Sequence, residues 1–138
     1  MITFSVPGLP VAKGRPKASV IGGKARLYTP GRTVAYEGLV AHAGAEAMRG
    51  RSPLDGPLSL NVIATFPIPK SWPKTRQAAA LHHTGRPDAD NILKAIGDGL
   101  NQVVWADDSQ LARVSVEKRY GAVPGVIITV QALECANG

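Results

Sequence analysis

The densest group of chemically active side chains lies between residues 88 and 108. Half of the ten acidic residues of the chain fall in this interval, namely Asp88, Asp90, Asp98, Asp107 and Asp108. Asn91 and Lys94 stand among them. Carboxylate and amide oxygens are the ligands that hard divalent cations prefer. A lysine beside them can offset the negative charge that develops on a reacting phosphate. The group therefore predicts metal-assisted phosphodiester chemistry.

The acidic group belongs to a chain that is otherwise basic, with a formal net charge of +6. Residues 1–87 carry 12 Lys or Arg against 3 Asp or Glu, whereas residues 88–138 carry 4 against 7. A basic surface joined to an acidic patch is typical of a protein that holds nucleic acid and cuts it. Charge alone leaves an ordinary soluble basic protein as an equal alternative.

Composition narrows the class of protein. The 138 residues predict a single domain over 1–138, and the 44% hydrophobic content is typical of a globular fold. One cysteine, Cys135, excludes an internal disulfide and a cysteine-rich zinc site. Aromatic residues make up 5%, which disfavours a base-stacking platform. With no long apolar run and no signal-peptide pattern, we expect a cytoplasmic protein of a bacterium or phage that does not enter membranes.

The first half of the chain predicts two strands and one long helix. Residues 2–9 alternate as a strand, and residues 10–26, rich in Gly, Lys and Arg, read as a loop or an irregular hairpin. A helix follows over 32–49, with Thr33 as its expected cap. Its expected apolar face includes Val34, Leu39, Val40 and Met48. A second strand is predicted over residues 58–66.

The second half predicts the helix that must position the acidic group. A short helix over 73–81 precedes it. The main helix begins at Asp88, a good N-cap, and its apolar positions recur at helical spacing. These positions are Leu93, Ile96, Leu100 and Val103. Strands are predicted over 110–120 and 126–130, the second β-branched and therefore central. We expect a mixed α/β (α+β) fold, a small mixed sheet with helices packed on one face.

Each part of the acidic group also has a purely structural explanation. Asp88 can cap the helix, and Asp90 can be a favourable charge in its first turn. Lys94 lies four residues from Asp90 and from Asp98, so exposed ion pairs would explain that ladder. The pair at 107–108 can belong to a simple turn.

The helix also creates a geometric problem for a shared site. A helix over residues 89–101 is roughly 20 Å long, so Asp108 begins at the end opposite Asp88. Either the helix is short and the chain folds back along it, or a two-fold dimer brings the turn of one subunit to the helix start of the other. The sequence leaves both solutions open.

The acidic group closely resembles the RusA-like Holliday junction resolvases. The resemblance rests on Pro87-Asp88-Ala89-Asp90-Asn91-Ile92-Leu93-Lys94, then Asp98 and Asp107-Asp108-Ser109-Gln110. Phage-type members are also similar at Val6–Pro16, at Tyr28-Thr29-Pro30 and at Lys118-Arg119-Tyr120. Order and spacing are preserved over nearly the whole chain.

The resemblance implies a homodimeric, Mg²⁺-dependent endodeoxyribonuclease that resolves four-way DNA junctions in recombination and repair by paired symmetric cuts. Mn²⁺ is the alternative metal, and no small-molecule cofactor is expected. The implied metal-binding and catalytic carboxylates are Asp88, Asp90 and Asp108, and Lys94 is the implied catalytic lysine. Asp107 and Asn91 are further candidates. The expected reaction is in-line attack of metal-activated water on the phosphodiester, leaving a 5′-phosphate and a 3′-hydroxyl.

Basic side chains outside this group are candidates for contacts with DNA phosphates. They are Lys13, Arg15 and Lys17 in the N-terminal loop, with Lys74, Arg76 and Arg86 nearer the acidic group. His82-His83 lacks a third soft ligand, so we interpret it as a linker or a DNA contact. Two other functions remain open: a metal nuclease for flaps or other branched DNA, and a non-catalytic DNA-binding module.

Overall fold

The computed structural model describes residues 1–12, 17–21, 24–28 and 31–134, and for 17–21 and 24–28 it describes the backbone. Strands and helices mix along the chain, so the α+β class is confirmed. In order, the elements are β1 (Ile2–Pro7), β2 (Lys17–Ile21), β3 (Lys24–Tyr28), α1 (Gly31–Met48), β4 (Leu58–Pro67), α2 (Lys74–Ala79), α3 (Ala89–Leu100), a 3₁₀ turn (Asp108–Gln110), β5 (Leu111–Gly121) and β6 (Gly125–Ala132).

Four strands form the main sheet in the order β1-β6-β4-β5. β4 and β5 are parallel, and the other two pairings are antiparallel. The parallel pair needs a long crossover, and α2 and α3 lie in the connection between its strands. Alternate residues of β4, from Leu58 to Phe66, are buried, as a half-covered strand requires. The predicted central position of the last strand is confirmed, because β6 lies between β1 and β4.

α1 and α3 pack closely against each other over the sheet. A Cβ on Gly44 would lie 2.6 Å from Cδ2 of Leu100, and a Cβ on Gly99 would lie 3.0 Å from the carbonyl oxygen of Glu37. Gly99 of α3, although it weakens that helix by propensity, and Gly44 of α1 are therefore the residues that let the two helices approach. The predicted start and end of α3 are close to those observed.

The predicted details of α1 need correction. Thr33 is not a cap: it lies in the first turn, is buried, and donates a hydrogen bond of 3.4 Å to the carbonyl oxygen of Ala12. Val34 and Leu39 are 55% and 56% exposed, so they do not belong to the buried face. That face consists of Thr33, Tyr36, Val40, Gly44 and Met48. The packing of α3 against α1 determines this buried face. Small residues such as Gly44 are buried there as well as large apolar ones.

The segment predicted as a loop or irregular hairpin contains paired strands. Lys17 of β2 stands opposite Tyr28 of β3 in a regular antiparallel register. Gly22-Gly23 separates these strands in the sequence, and two such residues between strands are a recognised hairpin pattern. In the described parts of the chain, no helix is long and apolar enough to cross a membrane.

Candidate active site

Two carboxylates stand at the start of α3. Asp88 occupies the N-cap position with φ −70° and ψ 150°, yet its side chain accepts no capping hydrogen bond. Asp90 lies in the first turn, and both residues are exposed. The helix start thus holds two carboxylates, one residue apart, of which Asp88 does not perform the capping role that would explain it structurally.

Lys94 lies one turn further along the same helix. It is exposed, and none of the ion pairs between described residues joins it to Asp90. The simple ion-pair explanation of this spacing is therefore not realised between residues 90 and 94. Positions four apart share a helix face, so the ammonium group and the Asp90 carboxylate project on the same side.

The segment that leads into Asp88 is tied to the sheet by Lys118. From β5, its Nζ donates hydrogen bonds of 2.7 Å to the carbonyl oxygen of Gly85 and 2.8 Å to that of Pro87. Lys118 therefore positions the residue immediately before Asp88. Spacing along the chain could not indicate this role, since 31 residues separate Lys118 from Pro87.

The two histidines have packing partners at this end of the sheet. The His83 ring stacks on Phe66 at 3.9 Å and meets the edge of Tyr120 at 5.1 Å. Burial, and then the charge of Lys118, lower the pKa of His83 below its usual value. His82 Nε2 lies 4.0 Å from Oε1 of Glu117. These contacts give both histidines a structural explanation.

α2 lies at the same end of the molecule as the start of α3. The Arg76 guanidinium lies 3.8 Å from the centre of the Trp72 ring, and Trp72 packs edge-on to Tyr120 at 5.3 Å. This places α2, with Arg76 and Lys74, beside Tyr120, at the end of the sheet where Lys118 binds the segment before Asp88. Of the other predicted DNA contacts, Arg86 lines a cleft beside Asp88. Lys17 lies in a strand described by its backbone, and Lys13 and Arg15 lie outside the described residues.

The cleft beside Asp88 has a volume of about 1030 Å³. Asp88 and Asn91 line one side of it, so the predicted Asn91 does lie with the acidic pair. Residues 9–12 form another wall, and Arg32 and Arg86 also line it. Arg32 lies in the first turn of α1, so its place in the cleft depends on the packing of α1 beside α3.

The second acidic pair lies before β5, and its two members have different partners. Trp105 is fully buried and donates its indole N–H to Oδ1 of the exposed Asp108 at 2.7 Å. Asp107 instead caps the 3₁₀ turn: its side chain accepts from the Gln110 backbone, and the Gln110 side chain accepts from the Asp107 N–H at 3.0 Å. Asp107 is therefore used locally, whereas one carboxylate oxygen of Asp108 is held toward the buried ring.

One chain does not bring the two acidic pairs together. β4 and β5 run in parallel, with Leu58 beside Leu111 at one end and Phe66 beside Tyr120 at the other. The start of α3 lies at the second end, and Asp108 at the first. The 12 residues of α3 span about 18 Å, so the chain does not fold back along a short helix. Among the described residues, no three His, Cys, Asp or Glu side chains are placed to hold one metal ion.

Comparison with known proteins agrees with these features. The family described as "Endodeoxyribonuclease RusA" matches residues 7–131, from the end of β1 to β6. A protein of Bacillus subtilis (strain 168), named "Uncharacterized protein YqaN", is 32% identical over 136 residues, which cover 94% of this chain and 95% of that protein. The matched region contains α3 with its acidic start, the turn at Asp108 and Lys118. The chain therefore belongs to the RusA endodeoxyribonuclease family, which implies that it cleaves DNA internally.

Proposed function

We propose that this protein is a Mg²⁺-dependent endonuclease that resolves four-way DNA junctions by paired symmetric cuts, acting as a homodimer. The observation that carries the proposal is the pair of exposed carboxylates, Asp88 and Asp90, beside a cleft lined by arginines. Family membership supports DNA cleavage and a branched substrate. The net charge of +6 supports binding to a polyanion.

The acidic start of α3 fits a hard divalent cation. Mg²⁺ is usually bound through one or two carboxylates, with water and substrate phosphate as the other ligands, and Asp88 and Asp90 offer those two carboxylates. A cation held there supplies charge stabilisation at the phosphodiester and lowers the pKa of water. Mn²⁺ prefers similar oxygen ligands and is the alternative metal.

The remaining side chains of α3 act on the DNA strand. Lys94 projects on the Asp90 side of the helix, where its ammonium group offsets negative charge on the phosphate as the P–O bond breaks. Asn91 lines the cleft next to Asp88 and orients the strand by hydrogen bonds from its amide. Lys118 keeps the entry into Asp88 in place through Gly85 and Pro87.

Asp108 enters the site from a second copy of the chain. In one protomer it lies at the end of the sheet opposite Asp88, yet the fully buried Trp105 fixes its carboxylate. A two-fold dimer creates two identical sites, which suits the two symmetry-related cuts of a four-way junction. Asp107 is assigned to the cap of the 3₁₀ turn and not to the metal.

Cutting of synthetic DNA tests the function. A four-way junction labelled on each strand in turn is incubated with the protein and Mg²⁺, and the products are resolved on a denaturing gel. Symmetrically paired nicks support the proposal. If the protein cuts flaps but not junctions, it is a nuclease for other branched DNA. If it slows the junction in a native gel but does not cut it, it is a non-catalytic DNA-binding module.

The Asp90→Asn variant tests the metal assignment. It should abolish cutting while junction binding is kept or tightened, because a negative charge near the DNA is removed. Glu46→Gln is the control: it removes a carboxylate charge from an exposed site near the end of α1, and it should cut normally. Normal cutting by Asp90→Asn would reject the metal role.

A mixing experiment tests the shared site. Asp90→Asn and Asp108→Asn proteins, each inactive alone, are unfolded together and refolded as a mixture. If each site combines Asp90 of one copy with Asp108 of the other, a mixed dimer has one intact site and nicks one strand. If each site is built within one chain, both sites of the mixed dimer are damaged and the mixture stays inactive, which would contradict the shared arrangement.

A further inference from the structure

The cleft beside Asp88 has a mixed lining that the acidic pair does not explain. The segment 9–12, in which Leu9 is exposed and Val11 is half-buried, forms an apolar wall, and Arg32 and Arg86 add two guanidinium groups. The hydrogen bond from Thr33 to Ala12 ties the N-terminal wall to the first turn of α1. Arg32 lies in this first turn, and α1 packs into the core through Thr33 and Tyr36. The helix therefore fixes the backbone of Arg32 beside the cleft.

The two arginines lack carboxylate partners in the described parts of the chain. The ion pairs there involve His42, His82 and Arg119 with glutamates. Two guanidinium groups line this cleft, and neither is ion-paired with the Asp88 carboxylate that shares it, so the cleft favours an anionic occupant. Phosphate is the best match, because the guanidinium fork binds phosphate oxygens in pairs.

The position and shape of the cleft distinguish a DNA strand from a small anion. Asp88 and Asn91 line the cleft, and the proposed function places the reacting phosphate beside them. Its volume of about 1030 Å³ exceeds what one phosphate group needs. Apolar walls next to guanidinium groups suit a deoxyribose and base with their phosphate.

We infer that this cleft binds the unpaired nucleotide of the DNA strand next to the cut phosphodiester, with Arg32 holding its phosphate. The inference rests on the proposed function and adds a strand-binding subsite to it. Arg86 faces the same phosphate or the next one along the strand. The nucleotide lies off the duplex, with its sugar and base against the wall formed by residues 9–12, where Leu9 is 47% exposed.

Salt dependence of binding tests the role of Arg32. The affinity for a four-way junction is measured across salt concentrations with Ca²⁺ in place of Mg²⁺, for the wild type, Arg32→Gln, Arg32→Lys and Arg49→Gln. Arg49 is the matched control, because it follows the far end of the same helix, about 26 Å from Arg32, and is exposed.

Arg32→Gln should weaken binding and reduce the slope of log affinity against log salt by about 0.7 for each occupied cleft, the value for one single-strand phosphate. Arg32→Lys should retain most of the slope, and Arg49→Gln should match the wild type. Thermal unfolding confirms that each variant is folded. An Arg32→Gln slope equal to the wild-type slope, or an equal loss in Arg49→Gln, overturns the subsite.

A fluorescent base tests the nucleotide itself. With 2-aminopurine next to the cut position, wild type and Arg49→Gln should brighten the base on binding, and Arg32→Gln should do so much less. Equal brightening by all three overturns the inference. Inorganic phosphate, added as a competitor, should displace the junction no better than its ionic strength predicts, and stronger competition would mean a small-anion site.

Failure of this inference can be told apart from failure of the proposed function. A wild-type protein that makes paired cuts while Arg32→Gln behaves like Arg49→Gln rejects the subsite alone. A wild-type protein that binds no branched DNA rejects both.

Discussion

The indole Nε1 of Trp105 donates a hydrogen bond of 2.7 Å to Oδ1 of Asp108. Trp105 is fully buried, whereas Asp108 is exposed, so a ring of the core sets the direction of a surface carboxylate. The adjacent Asp107 turns the other way and caps the 3₁₀ turn. The two aspartates have the same side chain, but their hydrogen-bond partners differ, and they therefore have different roles.

Because their partners differ, we expect a substitution at Asp107 to affect mainly stability and a substitution at Asp108 to affect mainly cutting. Asp107→Ala should lower the free energy of unfolding by about 1 kcal/mol, the usual cost of a lost cap, and leave junction cutting largely intact. Asp108→Asn keeps an acceptor for Trp105 but loses its charge, so it should abolish cutting with little effect on stability. Urea unfolding and single-turnover cutting measure both. Loss of cutting in a fully folded Asp107→Ala protein would contradict the assignment.

The hydrogen bonds from Lys118 predict a change in the metal requirement. Lys118→Met keeps the aliphatic stem but leaves the carbonyls of Gly85 and Pro87 without their donor. The free energy of unfolding should fall by about 1–3 kcal/mol. The Mg²⁺ concentration for half-maximal cutting should rise several-fold, because the backbone entering Asp88 is less well held. Metal-free junction binding should change much less.

Two further variants distinguish the positioning role of Lys118 from the effect of its positive charge. Lys118→Arg retains donors and should recover part of the metal affinity. Arg119→Met removes a positive charge from the next residue, which pairs with Glu117 at the surface, and should leave the Mg²⁺ requirement unchanged. An unchanged Mg²⁺ titration for Lys118→Met would exclude the positioning role.

The packing of His83 predicts a dependence of stability on pH. Its pKa is lowered in the folded protein, so the unfolded chain, with a pKa near 6.5, binds the proton first as the pH falls. The free energy of unfolding should therefore decrease below about pH 6.5, until the folded-state pKa is reached. His83→Phe keeps an aromatic ring against Phe66 and should lose this component. Urea titrations of both proteins from pH 8 to pH 5 give the difference, and parallel profiles would refute it.

The buried hydroxyl of Tyr36 predicts a stabilising substitution. Burial raises the pKa of Tyr36 to about 12, and the hydroxyl has no hydrogen-bond partner among the described residues. Tyr36→Phe should leave the free energy of unfolding unchanged or raise it by about 1 kcal/mol. Above pH 10 the wild type should lose stability as the unfolded tyrosine ionises first, and the variant should lack this component. A clear loss of stability at pH 7 would show that the hydroxyl is satisfied.

Local patterns were enough to predict most of the elements. The helix that begins after Asp88, the strand over 58–66 and the β-branched final strand each have periodicities that reflect which face is covered. The placement of Asp90 and Lys94 on one side of a helix also follows from local geometry, since four residues make about one turn, and Asp88 precedes them as the N-cap. These features depend on neighbours a few positions away, which a single sequence displays.

Tertiary packing decided the rest. The buried face of α1 includes Gly44 because α3 approaches there, and no periodicity within α1 indicates that partner. The same packing brings Arg32 to the cleft, and strand pairing brings Lys118 to Pro87.

The sequence by itself determined the chemistry of this protein: which carboxylates and which lysine lie together on one helix. Only the tertiary structure decided that Asp108 lies at the opposite end of the sheet and which residues support each carboxylate. The physical reason is distance along the chain. Helix and strand periodicities arise between near neighbours, whereas these contacts join residues tens of positions apart through burial and strand pairing.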